Sequence, residues 1–317
     1  MIRKFCSLAT MSAVILLSGS CQKEVTEVID DSGAKVLFTV NTDNKVTKAI
    51  ADGSNIDILY WEIYDEDVLT AAEPLAEGSV KDSDGDGRFT LDLALIRNQR
   101  YHFIFWAQVD REQGAEHYDV SDLRRVGIKS YDDELANDES RAAFFAYKEL
   151  YVAGNTSETV TLYRPFAQLN LGTEHYDVPS LNLTGPLKVN FSEVQVTGVA
   201  EVFNTIKGLG EGSQTVRFQK AATPNGDDDN AKKLLEVNGS RYYWVGMNYL
   251  IVNGDGGNVG VDMTFYTSHG NVDLSIANVP VKENYRTNII GDLLTTKAVF
   301  KILVDDGFWP TDITVKD

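Results

Sequence analysis

Apolar residues recur at every second position along most of this chain, the spacing of β-strands with one buried face. In residues 257–266, Val259, Val261, Met263 and Phe265 alternate with polar neighbours. Beyond the turn S-H-G-N the alternation resumes with Val272, Leu274 and Ile276, so the pair predicts a hairpin. Residues 88–94, 159–163 and 166–171 show the same period. In 187–196 the phase changes: Leu187, Val189 and Phe191 share one side, Val194 and Val196 the other, which predicts a bulge or bend. Residues 56–64 (I-D-I-L-Y-W-E-I-Y) and 101–107 (Y-H-F-I-F-W-A) are apolar on both phases and predict central strands covered on two sides. Helix signals are few. Early acids followed by good helix formers predict a short helix over 138–147, and D-V-S-D-L-R-R (119–125) predicts a single turn.

Many short strands separated by Gly, Asn and Asp turns predict an all-β fold of sandwiches with few short helices. Stretches 225–230 and 253–258 have turn compositions. A length of 317 residues favours two domains. One alternating run ends and another begins at Arg164-Pro165, so an N-terminal sandwich over 49–164 and a C-terminal one over 165–317 are expected.

The stretch K-D-S-D-G-D-G-R-F (81–89) copies the opening of a helix-loop-helix calcium loop, with Asp82, Asp84 and Asp86 at positions 1, 3 and 5 and Gly87 at 6. Position 12 is Leu93 rather than the bidentate acid such a loop requires, and 88–94 alternates like a strand. The expectation is a hairpin turn, because glycine accepts the positive φ that such turns demand. Asp82, Asp84 and Asp86 then form at most an incidental cation site.

Acids outnumber bases 47 to 29, for a net charge of -18. Such a surface repels phosphate backbones, so nucleic acid is not an expected partner. Both cysteines, Cys6 and Cys21, lie in the first 21 residues; no disulfide framework, thiolate metal site or cysteine nucleophile can exist beyond them. M-I-R-K is a positive start, and residues 7–17 are an apolar run too short to span a bilayer. L-S-G-S-C, ending at Cys21, resembles the lipobox of bacterial lipoproteins, although Leu17 stands four residues before the cysteine where the pattern has three. The resemblance implies a signal peptide over 1–21 and acylation (palmitate among the chains) of Cys21. Gln22-Lys23-Glu24 resembles the short charged signal that sends lipoproteins of Bacteroidetes to the cell surface.

Catalytic chemistry finds little footing. His102, His117, His175 and His269 are scattered, with no close metal-binding pair. The G-x-S-x-G elbow, the P-loop and the dinucleotide glycine fingerprint are absent, and no pair among the 47 acids is singled out for glycoside hydrolysis. No enzyme activity and no cofactor are expected. Trp61, Trp106, Trp244 and Trp309 could stack on sugars, but the dense apolar strands around the first three predict core positions.

Three stretches carry a family likeness: Y-R-P-F-A-Q-L-N-L (163–171), V-P-V-K-E-N-Y-R-T-N-I-I-G-D-L-L-T (279–295) and K-A-V-F-K-I-L-V-D-D-G-F (297–308). With the lipoprotein leader, the chain resembles the fimbrillin-like lipoproteins of Bacteroidetes (the FimA/Mfa-like superfamily), subunits of type V pili. The resemblance implies two transthyretin-like β-sandwich domains and transport as an outer-membrane lipoprotein to the cell surface. It also implies cutting after Arg or Lys by a trypsin-like surface protease, which removes a leader with the first strand. A strand from the next subunit then fills the vacated groove, as in the donor-strand pairing of other pilins. In this sequence the first strand is 34–42, with Val36, Phe38 and Val40 on one face. Lys48-Ala49 is the expected cut, with Lys45-Val46 as second choice, so that 22–48 is the leader. Residues 309–315, with Trp309, Ile313 and Val315 on one face, are the expected donor strand. Partners are then copies of the chain or other pilus subunits, the outer membrane through lipid, and the protease. The function implied is that of a stalk or anchor subunit of an adhesive fimbria. The alternatives are a non-polymerising surface lipoprotein that binds glycan or a partner protein, and a secreted hydrolase.

Overall fold

The computed structural model describes residues 33–42, 56–65, 67–82, 85–110, 117–129, 134–135, 139–174, 178–179, 186–187, 189–221, 235–254, 256–268, 270–294 and 298–305. Most of them are strand, and the rest are turns, bends and one short 3-10 turn. The first half carries β1 (Gly33–Thr42), β2 (Ile58–Tyr64), β3 (Ala76–Lys81), β4 (Arg88–Ile96), β5 (Gln99–Gln108), β6 (Tyr118–Asp119), β7 (Arg125–Ile128), β8 (Glu134–Leu135), β9 (Ala143–Val152) and β10 (Thr156–Leu162). The second half carries β11 (Phe166–Thr173), β12 (Val178–Pro179), β13 (Pro186–Leu187), β14 (Val189–Val199), β15 (Val202–Asn204), β16 (Leu209–Glu211), β17 (Gln214–Ala221), β18 (Leu235–Val237), β19 (Ser240–Ile251), β20 (Gly256–Thr267), β21 (Gly270–Lys282), β22 (Arg286–Asp292) and β23 (Val299–Asp305).

Two sandwiches result. Sheets β10-β1-β4 and β3-β2-β5-β9 enclose one core, in which Phe38, Phe89, Leu91, Phe103 and Phe105 are buried. Sheets β18-β19-β11-β22-β23 and β21-β20-β14-β17-β8 enclose another, built on Leu169, Val194, Val261, Phe265 and Ile289. A third core lies between them and holds Ile104, Trp106, Tyr118, Phe145, Phe203, Met247 and Tyr249. It explains why 101–107 is apolar on both phases. Side chains alternate across a strand, so Phe103 and Phe105 of β5 face the first core, while Ile104 and Trp106 face the joint. Strand pairs also cross the joint. The sheet β16-β15-β7-β6 takes two strands from each half, with Phe203 opposite Val126, and β8 pairs in parallel with β17.

The hairpin of β20 and β21 forms, with Val259, Val261, Met263 and Phe265 buried. In β14 the register against β20 shifts between Val189 and Phe191, which turns Phe191 outward against Tyr266, ring centroids 5.8 Å apart. The turn within 119–125 is present, Arg125 N–H donating to the Asp122 carbonyl at 3.1 Å. The expected helix over 138–147 is not. A single 3-10 turn at Glu139–Arg141 gives way to β9, where Phe144 enters the first core and Phe145 the joint core. Burial on two opposite faces requires a period of two, and that tertiary demand overrides the local helix preference.

Within the three stretches that carry the family likeness, the strands β11, β22 and β23 lie side by side. A polar ladder joins them, buried at its first rung and half-buried at its second: Asn170 Nδ2 donates to Asn288 Oδ1 at 2.8 Å, and Asn288 Nδ2 to Asp305 Oδ2 at 2.6 Å. Asn170 and Asn288 are almost fully buried, so each amide needs these partners.

Candidate strand-exchange groove

The first strand occupies the middle of its sheet. β1 runs parallel to β10, from Val36 opposite Thr156 to Thr42 opposite Leu162. On its other side it runs antiparallel to β4, from Gly33 opposite Ile96 to Asn41 opposite Arg88. Ala34, Val36, Phe38, Val40 and Thr42 point inward and are buried; Leu37, between two of them, is 39% exposed. The Phe38 ring meets Phe103 at 4.6 Å and Phe105 at 5.6 Å between centroids. At its N-terminal end the Lys35 N–H donates to Asn155 Oδ1 at 2.9 Å, and Arg97 Nε donates to the Gly33 carbonyl at 3.0 Å.

β1 is thus held by strands far from it in sequence, and the next strand, β2, belongs to the opposite sheet. A break between Thr42 and Ile56 would leave β1 bound by packing and hydrogen bonds alone. Its loss would open a slot two strand spacings wide between β4 and β10, on the order of 10 Å. Val36, Phe38 and Val40 contribute roughly 1.5–3 kcal/mol each through burial. Both ladders add about 1 kcal/mol per hydrogen bond. An unfilled slot would also expose two sheet edges, which invite another strand.

The acidic stretch proves to be a different kind of corner. It joins β3 to β4, and these strands belong to opposite sheets of the first sandwich, so the expected hairpin is corrected to an arch between sheets. The Asp82 carboxylate accepts the Gly85 N–H at 2.9 Å and the Gly87 N–H at 2.8 Å, and Asp86 Oδ1 accepts the Arg88 N–H at 2.9 Å. Gly85 and Gly87 have φ of 73° and 72°, which glycine adopts without strain. The nearby Asp110 is paired with Lys81 Nζ at 2.5 Å. Among the described residues no cluster of three His, Cys, Asp or Glu side chains is arranged to hold a metal ion; Asp84 lies outside those residues.

The family described as "Family of unknown function (DUF6562)" matches residues 27–315. The chain belongs to this family. No curated protein matches it. Solved structures do. A protein of Bacteroides eggerthii provisionally described as a cell adhesion protein is 10% identical, with a TM-score of 0.51 over 87% of this chain and 96% of that one. A Bacteroides thetaiotaomicron protein provisionally described as polysaccharide binding is 12% identical, with a TM-score of 0.50 over 86% and 97%. The tip fimbrial protein Mfa3 of Porphyromonas gingivalis, with a C-terminal truncation, is 12% identical, with a TM-score of 0.49 over 86% and 99%. At such identities the first two likenesses establish a shared fold and nothing more: this DUF6562 member has the architecture of those two Bacteroides proteins.

Of the residues expected to act in this member of the family, Val36, Phe38 and Val40 are brought together in β1. Cys21, Lys45, Val46, Lys48, Ala49, Trp309, Ile313 and Val315 lie outside the described residues. Trp61, Trp106 and Trp244 are buried, as core positions require. Sequence reasoning missed one cluster. Glu62 Oε2 accepts the Tyr64 O–H at 2.7 Å, and Glu62 Oε1 accepts the Leu123 N–H at 2.9 Å. Arg124 grips Asp122 through Nε at 2.8 Å and a terminal nitrogen at 3.0 Å, and lies 4.9 Å from the centre of the Tyr64 ring. Burial pushes the Glu62 carboxyl up, only partly offset by its hydrogen bonds. Burial also pushes Asp122 up, but the hydrogen bonds from Arg124 outweigh it and hold that carboxyl low. These groups line an open cleft of about 520 Å³ with Glu73, Leu75 and Glu77. The only sequence signal was a lone acid inside I-L-Y-W-E-I-Y.

Proposed function

We propose that this protein is a structural subunit, stalk or anchor, of an adhesive cell-surface fimbria, with no catalytic role and no cofactor. Cys21 carries the lipid that holds it at the outer membrane. In a stalk subunit a trypsin-like surface protease cuts after Lys48, or after Lys45, and frees β1 together with the lipid; an anchor keeps both. Residues 309–315 of a neighbouring copy, or of another pilus subunit, then enter the slot between β4 and β10. The observation that carries this reading is the position of β1: a central strand with its inward face fully buried, joined to β2 through the stretch that contains both lysines. The shared architecture with the B. eggerthii protein supports the adhesive setting. Sequencing the mature protein from cell-surface filaments tests the reading: a free Ala49 or Val46 start agrees with a stalk subunit, an acylated Cys21 in the filament base with an anchor. Filaments that persist after deletion of 309–315 overturn it.

A second reading is a non-polymerising surface protein that binds glycan. It is favoured by the cleft at Tyr64, Glu62 and Arg124, and by the polysaccharide-binding description of the B. thetaiotaomicron protein. Calorimetric titration with purified glycans, lost in R124A, would support it over assembly.

A further inference from the structure

The faces of β5 join β1 to the contact between the two sandwiches. On one face Phe103 and Phe105 hold Phe38. On the other, the Trp106 ring meets Tyr118 edge-on at 5.3 Å and Phe203 at 6.2 Å. From there ring contacts continue to both flanks: Phe203 meets Phe145 at 4.5 Å, Tyr118 stacks on Phe166 at 5.8 Å, and Phe166 meets Tyr249 of β19 at 5.8 Å. Trp106 is fully buried, and its Nε1–H donates to Gln108 Oε1 at 3.0 Å, which fixes its orientation. Phe103 to Trp106 are consecutive on one strand laddered to β2 and β9. A shift of that backbone moves both faces together, and densely packed cores transmit such shifts rather than absorb them.

We propose that occupancy of the β1 slot is coupled through β5 to the rigidity of the joint between the sandwiches. A filled slot holds Phe103 and Phe105 in register and keeps Trp106 seated against Tyr118 and Phe203. An emptied slot lets β5 relax toward the cavity and loosens the small sheet of β6, β7, β15 and β16. The use of this coupling in assembly rests on the strand-exchange reading: a subunit stiffens along its length only when a strand fills it. The coupling itself is a property of the uncut chain.

Hydrogen exchange of the full-length, uncut protein tests it with F38A, and with F38L should F38A fail to fold. The expected result is exchange about tenfold faster in β7 and β15, within the range of coupled contacts, with β14 and β20 unchanged. Coupling is reciprocal, so W106F should speed exchange of the β1 amides, whereas F265L, in the second core, should not. Exchange changes confined to the first sandwich in F38A or F38L, or to the joint in W106F, overturn the coupling and leave strand exchange untouched. Equal acceleration in β7, β15, β14 and β20 also overturns it, because that reports global unfolding rather than a route through β5.

Discussion

The carboxylate of Glu62, buried on β2, accepts the backbone N–H of Leu123 at 2.9 Å and so pins the arm that carries β6 and β7 onto the first sandwich. The same carboxylate accepts a hydrogen bond from the Tyr64 O–H at 2.7 Å, and Arg124 braces the arm from outside by donating to the Ala71 carbonyl at 2.6 Å. The cost of this arrangement is a desolvated acid whose carboxyl is pushed up by burial.

A raised folded-state value fixes the sign of the pH effect. The stability linked to Glu62 is fully present below the ordinary carboxylate range. It is lost as pH rises through the raised folded value, because the buried group must then ionise. E62Q abolishes that loss, so its melting temperature relative to wild type should rise from pH 4 to pH 8. E62A leaves the Leu123 N–H and Tyr64 O–H without an acceptor and should cost about 1–3 kcal/mol at any pH. Thermal melts of the three proteins across pH check both statements; a difference between E62Q and wild type that stays constant with pH would contradict the first.

At β1, inward and outward neighbours should differ sharply. F38A removes a fully buried ring and should cost about 3–5 kcal/mol. L37A removes a half-exposed side chain from the outer face and should cost no more than about 0.5–1 kcal/mol. Urea denaturation of the full chain measures both, and equal costs would mean that β1 is not the core strand described here.

In the acidic arch the Asp82 carboxylate already accepts two backbone N–H groups, those of Gly85 and Gly87. D82A should lower stability by about 1–2 kcal/mol, and chelators should leave the wild-type melting temperature unchanged. A calcium-dependent melt that disappears in D82A would reverse this view.

Close backbone approach should make one glycine irreplaceable. A Cβ on Gly210 would lie 2.0 Å from the Val252 carbonyl oxygen and 2.8 Å from the Ala200 Cβ, where the chain bridges to Gly254. G210A should cost at least about 2 kcal/mol. G154A, with nothing within 4 Å of the added methyl, should stay within about 0.5 kcal/mol of wild type. Equilibrium unfolding compares the pair.

How much of this could be read from the chain alone depended on the range of the interaction. The alternation in 257–266 and 271–277 named its own hairpin, because a short turn leaves each strand one obvious partner. The double-sided apolar pattern of 101–107 announced burial on both faces, but not that the second cover is the other sandwich. That cover depends on β7 meeting β15, more than seventy residues on, and no local pattern encodes it. The D-G-D-G corner shows the same limit: its glycines fix the turn, while the sheet that β4 joins is decided by β1. Residues 138–147 misled because helix formers such as Ala142, Ala143 and Ala146 also fit where neighbouring cores press close. At the candidate site, the inward face of β1 was legible residue by residue. Its place between β4 and β10 was not, since its pairing to β10 spans more than a hundred residues.

The account turns on whether β1 can be exchanged. The direct measurement is to treat purified full-length protein with trypsin at high concentration and follow its size, with N-terminal sequencing of each product. The account predicts ladders of multimers whose subunits begin at Ala49 or Val46, formed by the full chain and not by one truncated before Trp309. A nicked protein that stays monomeric and keeps residues 33–42 bound would contradict it.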